Sequence, residues 1–540
     1  MTLGLAIITF IALFITSIYH LTYVMAFFQL EEYDNIRFLK WLFKKFGKVN
    51  RIAELVGVPF FLFAGYSGAL LFFIIGVIFS IISFLIRFQK IRKDKTRLVK
   101  PLVYTSRAKR LLFTSSLLIV GLLLTTIFWS WSSQISLEQF ATKVIFLLLL
   151  GQLTAFYIIS ANIILIPLEW SIQSYYLYSA RKTIRLINPI VIGVTGSFGK
   201  TTTKEILFHI LSKRFRVLKT PKSYNTLMGI CKVIREELKP SHQYFIVEMG
   251  AYKPGEIEKI CALVQPKYGI LTAVGPQHLE RFKTIENVAK AKNELMHAIP
   301  KDGIAIYNGD DPICNELSKA TTGKNVLRYG VIPSSNLDIS AENLVVDENG
   351  TRFDVCLRDG SKLYAQMALL GRHNVSNALA AILLSSQCGF SFSEAVNHLR
   401  TTEALEHRLK LSKAQGNIIY IDDSYNSNPL GAKIALEVLA GFKSGRKILV
   451  TPGFVELGTV EEIEHEKLGS QAGEICDYIF LIGDIIRTTQ IDKGIKKSKM
   501  DSANVFFCNS LSEAVIQLRS ILRSGDVVLL ENDLPDLYLL

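Results

Sequence analysis

The stretch "GVTGSFGKTTTKEIL", which begins at Gly193, places a glycine turn, a lysine and a run of threonines directly behind an apolar segment. That order suits polyphosphate. An apolar strand ("PIVIGVTG") that ends in a turn of Gly196, Ser197 and Gly199 aims backbone N–H groups, and the N-terminus of the next helix, at an anion. Lys200 would neutralise the outer phosphates and Thr201 would ligate Mg²⁺, with Thr202 beside them in the first helical turn. The strict pattern G-x-x-x-x-G-K-[ST] fails by one residue: Val194 occupies the first glycine position and Gly193 lies one earlier. Placement between an apolar strand and an amphipathic helix carries the expectation more than the pattern does.

The elements that must hold this loop begin after Asn188. Short apolar runs ("YFIVEMG", "KYGILTAVG", "DGIAIYNGD") alternate with amphipathic helices such as "KTTTKEILFHILSKRF". The alternation predicts an α/β fold with a mainly parallel sheet and helices on both faces. A β-rich patch follows between about Val326 and Leu370, then a helix "NVSNALAAILLSSQCG", whose Gly389 suits a helix end. A second α/β round starts near Ile418 with "NIIYIDDS", "KILVTPG", "YIFLIGD", "VFFCNS" and "DVVLLEN". We read a P-loop central domain over 189–408 and a Rossmann-like C-terminal domain over 409–540, behind an α-helical membrane region over 1–188.

The membrane reading rests on charge and hydropathy. Up to Ile187, Lys and Arg outnumber Asp and Glu by 20 to 7, whereas the remainder is balanced at 41 to 40. The formal charge of +14 is therefore local. It fits cytoplasmic membrane flanks better than nucleic acid, for which no helix-turn-helix, RNP or zinc pattern is present. Four apolar stretches, roughly Leu3–Phe28, Val56–Ile86, Leu111–Trp131 and Val144–Leu168, each reach the ~20 residues that cross a bilayer core. The first lacks a basic n-region and a cleavage site, so it reads as a permanent span. "RFQKIRKDKTRLVKPLVYTSRAKR", with ten basic residues and the single acid Asp94, should be cytoplasmic, and the fourth span returns the chain there. "NIRFLKWLFKKFGKVNR" resembles an amphipathic interfacial helix. If it too is cytoplasmic, Val56–Ile86 must re-enter, turning at "AGYSG"; four crossings are the favoured reading. No Asp, Glu, Lys or Arg lies inside the first three apolar cores and Lys143 sits at the edge of the fourth, which disfavours transport. "EWSIQSYYLYSARKTIRLI" reads as an aromatic and basic collar at the membrane surface. The expected location is the cell membrane, multi-pass, with the soluble domains in the cytoplasm. Seven scattered cysteines without a C-x-x-C pair suit reduced, buried thiols.

The loop "TGSFGKTT" resembles the ATP loop of the Mur ligase family, enzymes that add amino acids to peptidoglycan precursors, and the resemblance continues in order for about 240 residues. "VEMGA" places Glu248 where the family has a magnesium-binding carboxylate. "LTAVGPQHLERFKTIENVAKAKNEL" is similar to the segment whose histidine binds a second Mg²⁺ and whose lysine, fourteen residues on, is often carbamylated; these map to His278 and Lys292. "GRHNVSNALAA" matches the motif whose asparagines contact adenine, here Asn374 and Asn377. "EHRLK" supplies Arg408 for the ATP phosphates at the domain hinge, and "IDDSYNSNP" supplies Asp423 as the nucleotide contact from the last domain. Taken singly, Glu248 could cap a strand end, His278 could be a core histidine and Asn374 could cap a helix.

The resemblance implies ATP, two Mg²⁺ ions and phosphorylation of an acceptor carboxylate, followed by amine attack on the acyl phosphate, with Lys200, His278 and Lys292 in catalytic roles. Asn225, Thr226, Asn426 and Asn428 are the residues expected on the substrate side. "DDSYNSNP" and "AKAKNEL" look most like the family member that adds D-Ala-D-Ala to a muramoyl-tripeptide. Two departures concern the acceptor: the membrane region stands where a UDP-sugar domain is usual, and "LLENDLPDLYLL" replaces a basic, glycine-containing ending. The expectation is therefore a membrane-anchored ligase acting on a soluble or lipid-linked cell-wall precursor. The same chemistry on a poly-γ-glutamate-type polymer or lipid-linked glycan, and a membrane ATPase with a regulatory Mur-like part, are the alternatives.

Overall fold

The structure, a computed structural model, describes residues 2–44, 58–67, 70–79, 82, 85, 89, 102–131, 136–151, 153–221, 224–276, 279–332, 334, 336–347, 350–403, 409–424, 429–455, 457, 460–483 and 485–531. The chain divides into two compact units, the first ending at Gln173 and the second beginning at Ser174.

The first unit is helical. The amphipathic segment forms a helix over Asn35–Lys44 with Phe38 and Leu42 buried, and Trp41 stacks on Phe27 of the helix Thr2–Leu30 at 4.4 Å. Two of the four apolar stretches carry more than one helix among the described residues. Within Val56–Ile86 the described residues include helices over Val58–Ser67 and Leu70–Phe79. Ring contacts between Phe60 and Phe79 (5.0 Å), Phe61 and Phe73 (5.2 Å) and Phe63 and Phe72 (4.5 Å) join early residues to late ones, so the pair is an antiparallel hairpin, as the re-entrant reading requires. The stretch Val144–Leu168 is also interrupted: one helix ends at Gly151, and a new one starts at Thr154, whose hydroxyl meets His20 Nδ1 at 2.6 Å. Glycine's weak helix propensity and this polar contact account for a break that hydropathy alone does not register. Among the described residues one helix, Thr154–Ile187, is long and apolar enough to cross a membrane. The buried Glu169 is paired, taking two hydrogen bonds from Arg110 at 2.7 and 2.9 Å.

The second unit carries two sheets. The first contains β1 (Ile190–Thr195), β2 (Val217–Lys219), β3 (Tyr244–Glu248), β4 (Tyr268–Leu271), β5 (Ile304–Asn308), β6 (Asn325–Gly330), β7 (Ile339–Asp347), β8 (Gly350–Leu357) and β9 (Lys362–Met367), in the order β2-β3-β1-β4-β5-β6-β7-β8-β9. Pairing is parallel up to β7 and antiparallel from β7 to β9, so the β-rich patch extends the same sheet. One face is covered by the helices Lys200–Leu211 and Arg372–Gln387, the other by Leu227–Glu236, Glu256–Val264 and Ile285–Ala298. Gly389, at φ 93°, sits just past the end of Arg372–Gln387. The second sheet holds β10 (Lys410–Lys413), β11 (Ile419–Asp423), β12 (Lys447–Thr451), β13 (Tyr478–Ile482), β14 (Val505–Cys508) and β15 (Val527–Glu531), ordered β10-β11-β15-β12-β13-β14 and parallel except at β10. All seven thiols are free, and only Cys356 is not buried.

The sheet face covered by Leu227–Glu236, Glu256–Val264 and Ile285–Ala298 also takes chain ahead of β1. Ala180 and Ile184 are fully or nearly fully buried against it, Leu177 packs beside them, and Arg235 lies 4.1 Å over the Tyr176 ring. A chain cut to begin at Leu186 loses these contacts and is expected to be about 4 kcal/mol less stable than one beginning at Ser174. Denaturant titration of the two truncated chains reads the difference; equal midpoints would show the segment contributes nothing.

Candidate active site

The phosphate loop runs from the C-terminal end of β1, where Gly196 has φ 152° and Gly199 φ 79°. Both glycines are required by close approach. A Cβ at Gly196 would lie 2.0 Å from Thr272 Oγ1, and one at Gly199 2.3 Å from Asn377 Oδ1. The loop is pinned to the segment after β4: Ser197 N–H donates to Ala273 O (2.7 Å), Ser197 Oγ to Gly275 O (3.0 Å), and Asn308 Nδ2 ties Thr272 O at 2.8 Å. The helix Lys200–Leu211 starts at Gly199 with no side-chain cap. Its first amide donors are left for an anion where a Ser or Asp would ordinarily satisfy them. Lys200 Nζ folds back on the same loop, donating to Gly196 O (2.6 Å) and Ser197 O (3.0 Å).

Parallel pairing brings the end of β3 beside β1, with Glu248 opposite Val194. Glu248 is buried; its Oε1 accepts from Asn225 Nδ2 (3.3 Å) and its Oε2 from Lys204 Nζ (3.1 Å). Burial alone would raise this carboxyl, but Lys204 and then Lys200 outweigh it and hold the group below its ordinary value. Lys292, on the helix Ile285–Ala298, is also buried, and burial followed by repulsion from Lys200 drives its ammonium well below the lysine range. Asn374 donates to Leu370 O (2.8 Å), Asn377 Nδ2 donates to Asn374 Oδ1 (3.3 Å), and Thr203 Oγ1 donates to Asn377 Oδ1 (3.2 Å). The two asparagines thus brace the helix Arg372–Gln387 against the phosphate-loop helix.

A cavity of about 670 Å³ joins these groups. Its wall includes Ser197, Gly199, Lys200, Thr201, Thr202, Asn225, Thr226, Glu248, Lys292, Asn374 and Asn377 from the first sheet's side, and Asp423 from the second. Asp423 ends β11, and its Oδ1 accepts the Leu409 amide at 3.2 Å. Of the residues expected from sequence, Gly196 forms the loop behind this wall, while His278, Arg408, Asn426 and Asn428 lie outside the described residues. Sequence reasoning passed over Tyr252, Asn308, Asp310, Arg372 and Lys433, which also line the cavity, and Lys204 behind Glu248. Lys204 did carry a signal: it stands four residues after Lys200, one helical turn along, beside the buried Thr203, Ile206 and Leu207.

The residues present fit a nucleotide with Mg²⁺. The uncapped helix and the two glycine approaches make a cradle a Cβ would fill. No trio of His, Cys, Asp or Glu side chains that could hold a metal by itself occurs among the described residues. One hydroxyl (Thr201) and one carboxylate (Glu248) suit a cation that takes its remaining oxygens from phosphates and water.

Comparison with known proteins agrees with this geometry. Residues 194–385 match the Mur ligase middle domain, and residues 407–531 match the Mur ligase, glutamate ligase domain. The UDP-N-acetylmuramoyl-tripeptide–D-alanyl-D-alanine ligase of Escherichia coli is 33% identical over 336 residues, which cover 62% of this chain and 74% of that protein. The Bacillus subtilis ligase of the same name is 30% identical, with 57% of this chain and 65% of that protein covered. The chain thus spans about two thirds to three quarters of the length of these relatives. Among solved structures, the MurF ligase of Thermotoga maritima in complex with ADP superposes with a TM-score of 0.61 at 25% identity, covering 68% of this chain and 81% of that one. MurF from Acinetobacter baumannii gives 0.59 at 26%, covering 67% and 77%. With its loop, its carboxylate and its two asparagines in the positions those matches span, the chain belongs to the Mur ligase family.

Proposed function

We propose that this protein is an ATP-dependent amide ligase that forms ADP and phosphate, and that it adds a D-Ala-D-Ala-type amine to the peptide of a cell-wall precursor. The observation that carries the reading is the single cavity joining Lys200, Thr201, Glu248 and Lys292 to Asp423 of the second sheet. The relatives' names supply the acceptor and amine class. Lys200 would turn from the loop carbonyls to the outer phosphates, holding the transferred group in line with the acceptor carboxylate and offsetting its charge. Thr201 and Glu248 would hold Mg²⁺, with His278 expected at a second ion. Bound there, Mg²⁺ supplies charge stabilisation of the phosphoryl group. Burial and the charge of Lys200 favour the neutral amine of Lys292, the form that adds to CO₂: an N–C bond forms, a proton leaves and the side chain becomes an anionic carbamate able to face a cation. Asp423 brings the second domain onto the nucleotide, and closure excludes the water that would hydrolyse an acyl phosphate.

We place the protein at the cell membrane with these domains in the cytoplasm, a reading supported by the long apolar helix Thr154–Ile187 and by the local basic surplus. An enzyme held at a bilayer gains effective concentration for an acceptor held there too. That keeps a lipid-linked precursor, or another lipid-linked glycan, as the second reading of the acceptor.

Full-length protein in detergent, given ATP, Mg²⁺, D-Ala-D-Ala and either UDP-linked or lipid-linked muramoyl-tripeptide, is expected to release ADP in step with amide formation. ADP release that ignores both acceptors, with no peptide product, would refute the ligase reading. A preference for the UDP-linked form over the lipid-linked one would remove the reason for a membrane location.

A further inference from the structure

The geometry points to Lys204 as a positioning residue that orients Glu248 for Mg²⁺, a role that rests on the ligase reading above. Lys204 is 0% exposed. A buried ammonium is tolerated only where its hydrogens and its charge are met. Here Nζ donates to Thr220 O (2.9 Å) and to Glu248 Oε2 (3.1 Å), and lies 3.6 Å from Glu205 Oε1. Thr220 follows β2 and holds β3 as well, its Oγ1 accepting the Glu248 amide at 3.0 Å. One lysine therefore bolts together the phosphate-loop helix, the end of β2 and the end of β3.

The two oxygens of Glu248 face different ways. Asn225, which lines the cavity, donates to Oε1, and Lys204, which stands behind the wall, donates to Oε2; the Thr201 hydroxyl in the cavity wall also hydrogen-bonds the carboxylate. With Oε2 held from behind by Lys204, the carboxylate is kept from turning away from the cavity, and Oε1 lies on the side of the cavity-lining Asn225. Mg²⁺ demands near-ideal octahedral placement and accepts few protein ligands, so a fixed single oxygen suits it better than a rotating carboxylate. Lys204 does not line the cavity, and it reaches the cavity wall through its bond to Glu248.

The test uses full-length protein and measures ADP binding as Mg²⁺ is titrated, with Mn²⁺ binding followed by electron paramagnetic resonance. In Lys204→Met, the Mg²⁺ concentration for half-maximal ADP binding is expected to rise at least about tenfold, in line with the loss seen when supporting partners of metal ligands are removed. ADP affinity in chelator should stay within about twofold of wild type. Glu248→Gln and the double variant Lys204→Met/Glu248→Gln should share one metal response, since Lys204 acts on the ion through Glu248. If Lys204→Met does not fold because it strands a buried carboxylate, the comparison of Glu248→Gln with the double variant decides. Two results would overturn the assignment: an unchanged metal requirement in folded Lys204→Met, or a further loss of metal response in the double variant beyond Glu248→Gln. The ligase reading fails on a different result, wild type that binds Mg-ADP normally yet makes no amide.

Discussion

Lys200→Ala is expected to slow amide formation by about 10³-fold or more while leaving the protein folded, because the side chain meets the phosphoryl group and not the core. In the structure its ammonium donates to two loop carbonyls, Gly196 O and Ser197 O. Alanine leaves those carbonyls to water at the cavity wall, so the cost in stability should be only about 1 kcal/mol. The loop's shape does not depend on the lysine: it is set by the two glycines and by the hydrogen bonds of Ser197 to Ala273 and Gly275. ADP should therefore still bind, more weakly, through the uncapped amides of the helix Lys200–Leu211. The check is single-turnover product formation beside calorimetric ADP binding. A variant that ligates within tenfold of wild type would remove the loop from the chemistry, and one that unfolds would make Lys200 structural.

The phosphate loop was legible because its parts are local. Strand, turn and helix adjoin in the chain, and the glycines signal both the turn and the approach of Asn377 from about 180 residues away, although only the structure shows what approaches. The β-rich patch was legible as strands, but its place as the antiparallel end of the first sheet was not, because pairing between β6 and β7 depends on packing that periodicity does not encode. Lys204 was missed for a related reason. A lysine in an amphipathic helix reads as solvated, and only the parallel register of β1 and β3, which brings Glu248 to 3.1 Å from its ammonium, makes it a buried partner. In the first unit the lesson runs the other way. Hydropathy marked Val56–Ile86 and Val144–Leu168 as apolar and could not register where a helix turns back on itself or stops at a glycine. Tyr176 to Ile184 illustrates a third case: aromatic and basic residues suggested a membrane collar, yet one face of that segment, through Ala180 and Ile184, belongs to the core under β1 and β3.

Lys292→Met should lose ligation and gain stability, an opposition that separates its chemistry from its packing. The side chain is 3% exposed, and burial together with the charge of Lys200 drives its ammonium far below the lysine range. A lysine in an unfolded chain keeps its proton up to about pH 10.4. The folded protein must therefore release that proton at any pH between the depressed value and about 10.4. The sign follows from linkage: the unfolded state binds more protons, so this group's cost to the fold grows as pH falls from about 10 toward the depressed value, by at most about 1.4 kcal/mol per pH unit, and levels off below it. Methionine has similar length and no proton to lose, so the variant should melt higher than wild type, and the gap should widen as the pH of CO₂-free, Mg²⁺-free buffer is lowered from 10 toward neutrality. Ligation should fall because the variant cannot form the proposed carbamate. In Lys292→Ala, which leaves room for a small anion, formate or acetate should restore part of the activity, as it cannot in the methionine variant. Mass spectrometry of wild type under ¹³CO₂, with the adduct trapped by alkylation, tests the modification directly. If Lys292→Met melts lower than wild type at every pH and still ligates, the buried amine is a structural cation and the carbamate plays no part in the reaction.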